Sequence, residues 1–239
     1  MLGWRARIGY INPSNAECSV YEFYKIAPEG VTLVLTCLSI KNLVPEELET
    51  ALAKVDAAAV DLARSEVDYI VLGGTPPAVF KGVEGNKKLI ERIENLTKIP
   101  AVTKVSASMA AFNYLGAKRI SLVSPMDEDN NRKIRRFLEE AGFEVVCVVG
   151  LGIKSNLEIT KLPPYASYQA ARRAIMENPE TDVIYIPCSL WGATLNAQHI
   201  ETDFGIPVVT SNNAMMWYVF RALNIREKIR GYGKLLAEI

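Results

Sequence analysis

The chain carries an internal repeat of strand-and-helix units, and this repeat constrains the possible folds more than any other feature. The segment IGYINP (residues 8–13) is similar to ISLVSP (residues 120–125). The segment IPAVTKVSASMAAFNYLGA (residues 99–117) is similar to IPVVTSNNAMMWYVFRALN (residues 206–224). These two matches have offsets of 112 and 107 residues, and a third match described below, between them in the chain, has an offset of 114. They predict two related lobes.

Short apolar runs rich in valine and isoleucine alternate with amphipathic stretches, which is typical of a parallel α/β sheet buried on both faces. Apolar residues at helical spacing after Pro45 predict one helix, on which Leu48, Leu52, Val55, Ala59 and Leu62 share a face. A second helix is predicted after the N-cap Asp127, with Ile134, Phe137, Leu138 and Ala141 on its apolar face. The predicted strands are residues 8–11, 32–38, 69–72, 101–103, 120–124, 145–149, 183–186 and 208–210.

These units predict an α/β fold with two similar doubly wound parallel-sheet lobes, related by a pseudo-twofold axis. We assign residues 1–115 and 207–239 to lobe 1, with the C-terminal segment packing back, and residues 116–206 to lobe 2. Open α/β sheets bind ligands beyond the C-terminal ends of their strands. We therefore expect the active site in the cleft between the lobes.

Charge and hydropathy exclude several classes of partner. The 239 residues include 27 basic and 27 acidic side chains with no long block of one sign, which argues against nucleic acid and anionic membranes. No apolar run reaches about 18 residues, so no membrane span is predicted. The N-terminus lacks the apolar centre of a signal peptide, and we expect a cytoplasmic protein.

Metal and cofactor sites are not predicted either. The four cysteines are widely spaced without a CxxC pair, and His199 is the single histidine. This pattern fits reduced thiols better than a disulfide framework or a zinc site. No nucleotide-binding fingerprint is present around Gly73 and Gly74. The sequence leaves the oligomeric state open.

A third repeat match places a thiol in one lobe opposite a glycine in the other. VDYIVLGGTPP (residues 67–77) aligns with TDVIYIPCSL (residues 181–190), which sets Gly74 opposite Cys188. A helix predicted near Trp191 would lower the pKa of Cys188 through its dipole and make the thiol a usable proton donor or nucleophile. The alternative is an inert buried cysteine. Gly73, Gly74 and Thr75 suit close approach of a ligand, or form a plain tight turn.

Polar side chains follow the strands of both lobes and suit either carboxylate binding or helix capping. The segments expected to face the cleft are residues 12–15, 73–77, 124–126 and 187–191. The polar side chains at the strand ends include Asn12, Ser14, Asn15, Ser124, Ser211, Asn212 and Asn213.

The repeated lobes, the thiol after Ile-Pro and the ending Gly-Tyr-Gly-Lys-Leu (residues 231–235) resemble the aspartate/glutamate racemase superfamily. Within it the chain is most similar to the branch of arylmalonate decarboxylase and maleate cis-trans isomerase. The resemblance implies two catalytic cysteines in racemases and isomerases, and one cysteine with a facing glycine in decarboxylases. Gly74 and Cys188 match the decarboxylase pattern, in which one thiol protonates a carbanion left by loss of carbon dioxide.

The resemblance also implies a dioxyanion hole and an apolar pocket for the departing carboxylate. Thr75 and the N–H groups of Cys188 and Ser189 would form the hole. Some residues depart from the family pattern, and they favour a malonate that is smaller or more polar than an arylmalonate. These departures are Pro76, Met126, Ser189 and the polar segment with Lys154 and Asn156. The substrate-binding residues predicted in this way are Asn12, Ser14, Asn15, Ile40, Leu43, Gly73, Ser124, Met126, Asn156 and Ser189, with Ile159 in the apolar pocket.

Three functions remain open from the sequence. The leading one is a cofactor-free decarboxylase of a malonate-type dicarboxylate, a carbon–carbon lyase with Cys188 as its acid. The second is a maleate isomerase or an Asp/Glu-type racemase, in which water or Cys37 would replace the missing thiol. The loop around Pro13 and Ser14 resembles the isomerases. The third is a non-catalytic protein that binds small carboxylates.

Overall fold

In the part of the chain that the structure describes, eight strands form two separate parallel sheets of four strands each. The structure is a computed structural model that describes residues 2–14, 16–163 and 165–239. The first sheet has the order β2-β1-β3-β4 and the second the order β6-β5-β7-β8, so both lobes share one topology. The strands are β1 (Ala6–Asn12), β2 (Val31–Cys37), β3 (Tyr69–Leu72), β4 (Ala101–Thr103), β5 (Arg119–Met126), β6 (Glu144–Ile153), β7 (Val183–Ile186) and β8 (Val208–Thr210).

Equivalent aspartates of the two lobes accept equivalent backbone hydrogen bonds. The carboxylate of Asp68 accepts the N–H of Arg7 at 2.7 Å, and that of Asp182 accepts the N–H of Arg119 at 2.7 Å. Each carboxylate therefore ties its central strand to the start of the neighbouring strand. The predicted α/β fold with two similar parallel-sheet lobes is confirmed.

Helices connect the strands and cover the sheets. The helix predicted over residues 45–62 is two helices that meet at Lys54. Lys54 keeps helical dihedrals (φ −91°, ψ −8°), so the apolar stripe continues and Leu48 and Leu62 are both buried. The helices are α1 (Glu17–Ile26), α2 (Pro45–Ala53), α3 (Val55–Arg64), α4 (Thr75–Val79), α5 (Gly82–Thr97), α6 (Lys104–Tyr114), α7 (Glu128–Glu140), α8 (Asn156–Thr160), α9 (Ala166–Glu177), α10 (Thr194–Phe204), α11 (Ser211–Ala222) and α12 (Lys234–Ala237).

Burial differs between the two edges of each sheet. The strands β3 and β7 are buried at every residue, as the sequence predicts. In β2 only Val31 is buried, and in β6 only Val145 and Val149 are, so the expectation of burial on both faces is wrong for these two strands. Both lie at one edge of their sheet, with a neighbouring strand on one side only, whereas β4 and β8 at the opposite edges are buried at every residue.

The C-terminal segment divides between the lobes. The strand β8 pairs with β7 in the second sheet, whereas our assignment put residues 207–239 in lobe 1. Beyond α11 the chain contacts both lobes: Arg5 of lobe 1 forms an ion pair with Glu227 at 2.7 Å, and the N–H of Lys234 donates to Glu201 of lobe 2 at 2.6 Å. The hydroxyl of Tyr232 also donates to the carbonyl oxygen of Lys25 at 3.3 Å. Backbone pairing of a parallel strand therefore moves the lobe boundary past Thr210.

Within the described ranges, no helix combines the length and the apolar character that crossing a membrane requires.

Candidate active site

A small cavity of about 40 Å³ lies between the C-terminal strand ends of the two lobes. Lobe 1 contributes the segments after β1, β2 and β3, and lobe 2 contributes the last residue of β5 and the segments after β6 and β7. The cavity brings together most of the residues singled out from the sequence: Asn12, Ser14, Ile40, Leu43, Gly74, Thr75, Met126, Asn156, Ile159, Cys188 and Ser189. Pro13, Pro76, Pro77, Pro187 and Leu190 complete its wall.

Cys188 is a buried thiol in this wall, 8% exposed. Burial raises its pKa to about 12, against the smaller lowering effects of the Leu190 N–H and the Lys104 ammonium. The prediction of a pKa lowered by a helix N-terminus is wrong, because α10 begins only at Thr194 and a loop separates it from the thiol. At neutral pH the group is a thiol, which suits it to donate a proton.

Glycine is required on the opposite wall. Gly74 has φ +84°, and a Cβ there would lie 2.7 Å from Cγ of Pro13. The side chain of Pro13 thus occupies the space into which a thiol at position 74 would project. Gly73 lies behind the wall, because a Cβ there would meet the hydroxyl of Tyr10 at 2.5 Å. Gly73 therefore supports the loop and does not line the cavity.

Two of the predicted oxyanion donors are engaged within the protein. The hydroxyl of Thr75 donates to the carbonyl oxygen of Pro187 at 3.0 Å, which joins the two lobes beside the thiol. The N–H of Cys188 donates to the carbonyl oxygen of Ile186 at 2.9 Å. The N–H of Ser189 has no acceptor in the described part of the chain, so it is free to bind an anion.

The polar side chains after β1 and β6 shape the cavity wall. The hydroxyl of Ser14 and the amide of Asn156 both donate to the carbonyl oxygen of Ile40, at 2.7 and 3.1 Å. The amide of Asn12 donates to the carbonyl oxygen of Ser14. These bonds hold the segment around Ile40 against lobe 2, and the Ser14 hydrogen is not available to a ligand in this arrangement.

Further backbone bonds fasten this segment across the cleft. The N–H of Leu43 donates to the carbonyl oxygen of Lys154 at 3.3 Å. The N–H of Asn156 donates to the carbonyl oxygen of Lys41 at 3.2 Å. We call residues 40–43 and 154–156 together the clasp. The clasp closes the apolar side of the cavity, where Ile40, Leu43, Met126 and Ile159 are buried.

The remaining predicted residues lie elsewhere. Ser124 is fully buried behind the wall, where its hydroxyl accepts the N–H of Met126 at 3.0 Å and donates to Asn131. Its bond to Met126 lies where the pairing of β5 with β6 shifts register, between Ser124 and Met126, and Ser124 does not line the cavity. Asn15 lies outside the described residues. Asn213 closes a capping box with Thr210 at the start of α11.

A buried charged network stands directly behind the cavity, and the sequence analysis missed its two charged members. Nζ of Lys104 donates to the Ser189 hydroxyl at 3.0 Å and to the amide oxygen of Asn212 at 2.5 Å. The amide nitrogen of Asn212 donates to the carboxylate of Glu22, which also accepts the N–H of Thr194 at 2.9 Å. Burial raises the pKa of Glu22. The available signal was a lone lysine directly after the apolar strand β4.

Metal ligands do not cluster in the described ranges, where no group of three histidine, cysteine, aspartate or glutamate side chains could hold an ion.

Comparisons with known proteins agree with this geometry. The arylmalonate decarboxylase family profile matches residues 8–236. Maleate isomerase of Pseudomonas putida is 26% identical over 244 residues, 97% of each chain. Arylmalonate decarboxylase of Bordetella bronchiseptica is 25% identical over 233 residues, 97% of this chain and 96% of that protein. A solved structure of a liganded arylmalonate decarboxylase double mutant has the same fold, with TM-score 0.91, 23% identity and coverage of 96% and 98%.

The family profile spans both lobes and every segment that lines the cavity. The resemblance seen in the sequence is thereby confirmed: the chain belongs to the arylmalonate decarboxylase family, a family of enzymes.

Proposed function

We propose that the protein is a decarboxylase of a malonate-type dicarboxylate, with Cys188 as the proton donor. The observation that carries the proposal is a buried thiol, whose pKa is raised by burial, in a cavity that Gly74 lines without a side chain. A single acid can protonate a carbanion, whereas relay of a proton across the substrate needs a second group on the other face.

The reaction needs no electron acceptor besides the substrate. Cleavage of one C–C bond releases carbon dioxide and leaves its electron pair on the α-carbon, delocalised into the remaining carboxylate as an enediolate. Cys188 then transfers its proton to that carbon and becomes a thiolate. The thiolate regains a proton from solvent, and the product is a monocarboxylate. The high pKa of Cys188 makes the thiolate basic enough to be reprotonated at neutral pH.

The composition of the cavity supports loss of a carboxylate. Its wall includes no lysine or arginine within the described ranges, and the clasp side presents the apolar side chains of Ile40 and Leu43 beside the neutral amide of Asn156. A carboxylate placed there loses hydration without gaining a counter-ion, which favours its departure as neutral carbon dioxide. The other carboxylate would lie near Ser189, where a backbone N–H is free. Rotation of the Thr75 hydroxyl away from Pro187 would add a second donor.

Maleate isomerisation is the second candidate. It is favoured by the maleate isomerase relative, whose identity of 26% is no lower than that of the decarboxylase relative. A thiol can also add to a double bond as a nucleophile. Gly74 argues for the decarboxylase, because Pro13 fills the place of a second thiol.

The test is incubation in heavy water with a panel of malonates and C4 dicarboxylates, including maleate. A decarboxylase releases carbon dioxide and yields a monocarboxylate with one deuterium on its α-carbon. An isomerase converts maleate to fumarate without release of carbon dioxide. Ligand-dependent thermal stabilisation without any product would identify a binding protein and overturn the proposal.

Two cysteine variants test whether Cys188 is the proton donor. Cys188→Ser is expected to lower turnover by about 10²-fold or more, the scale of a positioned general acid. Cys147→Ser is the matched control, since Cys147 lies on β6, outside the cavity wall. Equal turnover of the two variants would exclude Cys188 as the proton donor.

A further inference from the structure

One hydroxyl in the cavity differs from the other two. Hydroxyls of Ser14, Thr75 and Ser189 line the wall, and those of Ser14 and Thr75 donate to backbone carbonyls. The oxygen of Ser189 instead accepts from Nζ of Lys104 at 3.0 Å. An ammonium group can only donate, so the single hydrogen of Ser189 must point elsewhere. It has no acceptor in the described part of the chain and is left for a ligand.

Lys104 is held where it can fix this hydroxyl. It is 1% exposed, and it is the one lysine or arginine that is buried in the described ranges. Its ammonium also contacts the amide oxygen of Asn212 and lies 4.3 Å from the centre of the Tyr10 ring. Every N–H of the group thus has a partner. A buried cation with fixed partners cannot turn to another acceptor without losing these bonds.

The charge of Lys104 is compensated at a distance. Asn212 lies between it and the buried carboxylate of Glu22, accepting from the ammonium and donating to the carboxylate. The Asn212 amide separates the two charges. The ammonium of Lys104 therefore lies next to Ser189, and the carboxylate of Glu22, on α1, lies next to Thr194. Such an arrangement sets a positive potential at the lobe 2 wall of the cavity.

We propose that Lys104 is a positioning residue that acts through Ser189, and that together they create a subsite for the carboxylate that the substrate retains. The substrate oxygen accepts from the Ser189 hydroxyl and the Ser189 N–H, and Lys104 stands behind as the compensating charge. The subsite rests on the proposed function for the identity of its ligand, an anionic dicarboxylate. It replaces donors that Pro76 and Met126 cannot supply.

The first test is a double-mutant cycle on ligand binding. Succinate is titrated calorimetrically into the wild type, Lys104→Met, Ser189→Gly and the double variant. Each single variant is expected to weaken binding about tenfold, because a charge-assisted hydrogen bond is lost. The double variant should bind as weakly as either single one, since Lys104 acts through Ser189. Independent, multiplying losses would overturn the proposal.

The second test separates a charge effect from a merely structural one. Cys188 is alkylated with iodoacetamide at about pH 9, below its pKa, and followed by peptide-resolved mass spectrometry, so that the rate reports the thiolate fraction. Lys104 lowers the pKa of Cys188 and Glu22 raises it. Lys104→Met should therefore slow the reaction and Glu22→Gln should accelerate it, by about tenfold for each unit of pKa change. A change of the alkylation rate in the same direction for both variants would overturn the proposal.

A substitute variant and a comparison of outcomes keep the subsite and the proposed function separately testable. Lys104→Gln keeps hydrogen-bond donors without the charge, and it replaces Lys104→Met if the methionine variant does not fold. Neither alkylation nor succinate binding requires turnover. If the subsite passes both tests while no malonate is decarboxylated, the proposed function fails and the subsite stands as part of a carboxylate-binding site.

Discussion

The hydroxyl of Thr75 donates to the carbonyl oxygen of Pro187 at 3.0 Å, which joins the loop after β3 in lobe 1 to the residue that precedes the thiol of lobe 2. This bond fixes the separation of the two loops and holds the hydroxyl beside the reacting position. In the proposed decarboxylation, a growing negative charge on the substrate would compete with this neutral carbonyl for the same hydrogen. The charged acceptor makes the stronger bond, so the hydroxyl is expected to turn to it.

Thr75→Val, which removes the hydroxyl and keeps the shape, should therefore lower kcat by about 10²-fold, the scale reported for loss of one oxyanion donor. Because the bond to substrate forms as charge develops, KM should change little. Thr75→Ser retains the hydroxyl and is the matched control. Steady-state kinetics on the best malonate of the panel measures both constants. A rise in KM at constant kcat would assign Thr75 to ground-state binding instead.

The pH dependence of the reaction follows from the raised pKa of Cys188. Burial raises this pKa to about 12, so the acid is protonated at lower pH and is lost only as the pH rises through that value. The kcat/KM value should therefore show no loss attributable to Cys188 between about pH 6 and pH 9, since the profile reports the free enzyme's essential acid. A fall centred near pH 8 would show that the thiol titrates in the ordinary range of a solvated cysteine.

Gly74 should tolerate no side chain. Its φ of +84° and the 2.7 Å approach of a Cβ to Pro13 combine backbone strain with overlap. Gly74→Ala is expected to lower the free energy of unfolding by about 2–3 kcal/mol. Gly116 is the control, because its φ is +69° but nothing lies within 4 Å of a Cβ there. Gly116→Ala should cost about 1 kcal/mol, from strain alone.

Urea denaturation of both variants measures the difference. Equal losses would mean that Pro13 moves aside without cost. In that case a thiol could also be placed at position 74. The Pro13 side chain would then be no obstacle to a second acid on that wall.

The strand pattern and the facing pair could be predicted because they depend on local sequence. Apolar runs located all eight strands, and the alignment of Asp68 with Asp182 placed Gly74 opposite Cys188 in the same cavity. The repeat carries this information directly, since residues at equivalent positions of two similar lobes face each other across the cleft.

Contacts between distant segments could not be predicted. The Lys104 network joins α6, α1 and two segments of lobe 2, and no periodicity links a lysine to a glutamate that lies 82 residues earlier in the chain. The pKa of Cys188 was mispredicted for the same reason. The pKa shift of Cys188 is upward because both lobes bury the thiol and because the helix α10 begins later than the sequence indicated.

The narrow cavity predicts selectivity for small substrates. Its volume of about 40 Å³ lies far below the roughly 300–1,000 Å³ of pockets that enclose drug-sized ligands, so a methyl substituent should be accepted more readily than a phenyl ring. Leu43→Ala and Ile159→Ala each shorten a buried side chain of the apolar wall. The ratio of kcat/KM for phenylmalonate over methylmalonate should rise about tenfold or more in each, since a methylene in an apolar pocket changes discrimination by that scale.

Val44→Ala is the matched control for this prediction, because Val44 adjoins Leu43 but is 38% exposed and does not line the cavity. Its ratio should equal that of the wild type. Parallel assays of the two malonates with all three variants give the comparison. If the ratio stays constant in Leu43→Ala and Ile159→Ala, the clasp must open to admit the substituent, and selectivity is then set outside the closed cavity. In that event Asn156→Ala, which removes one bond of the clasp, should change the ratio instead.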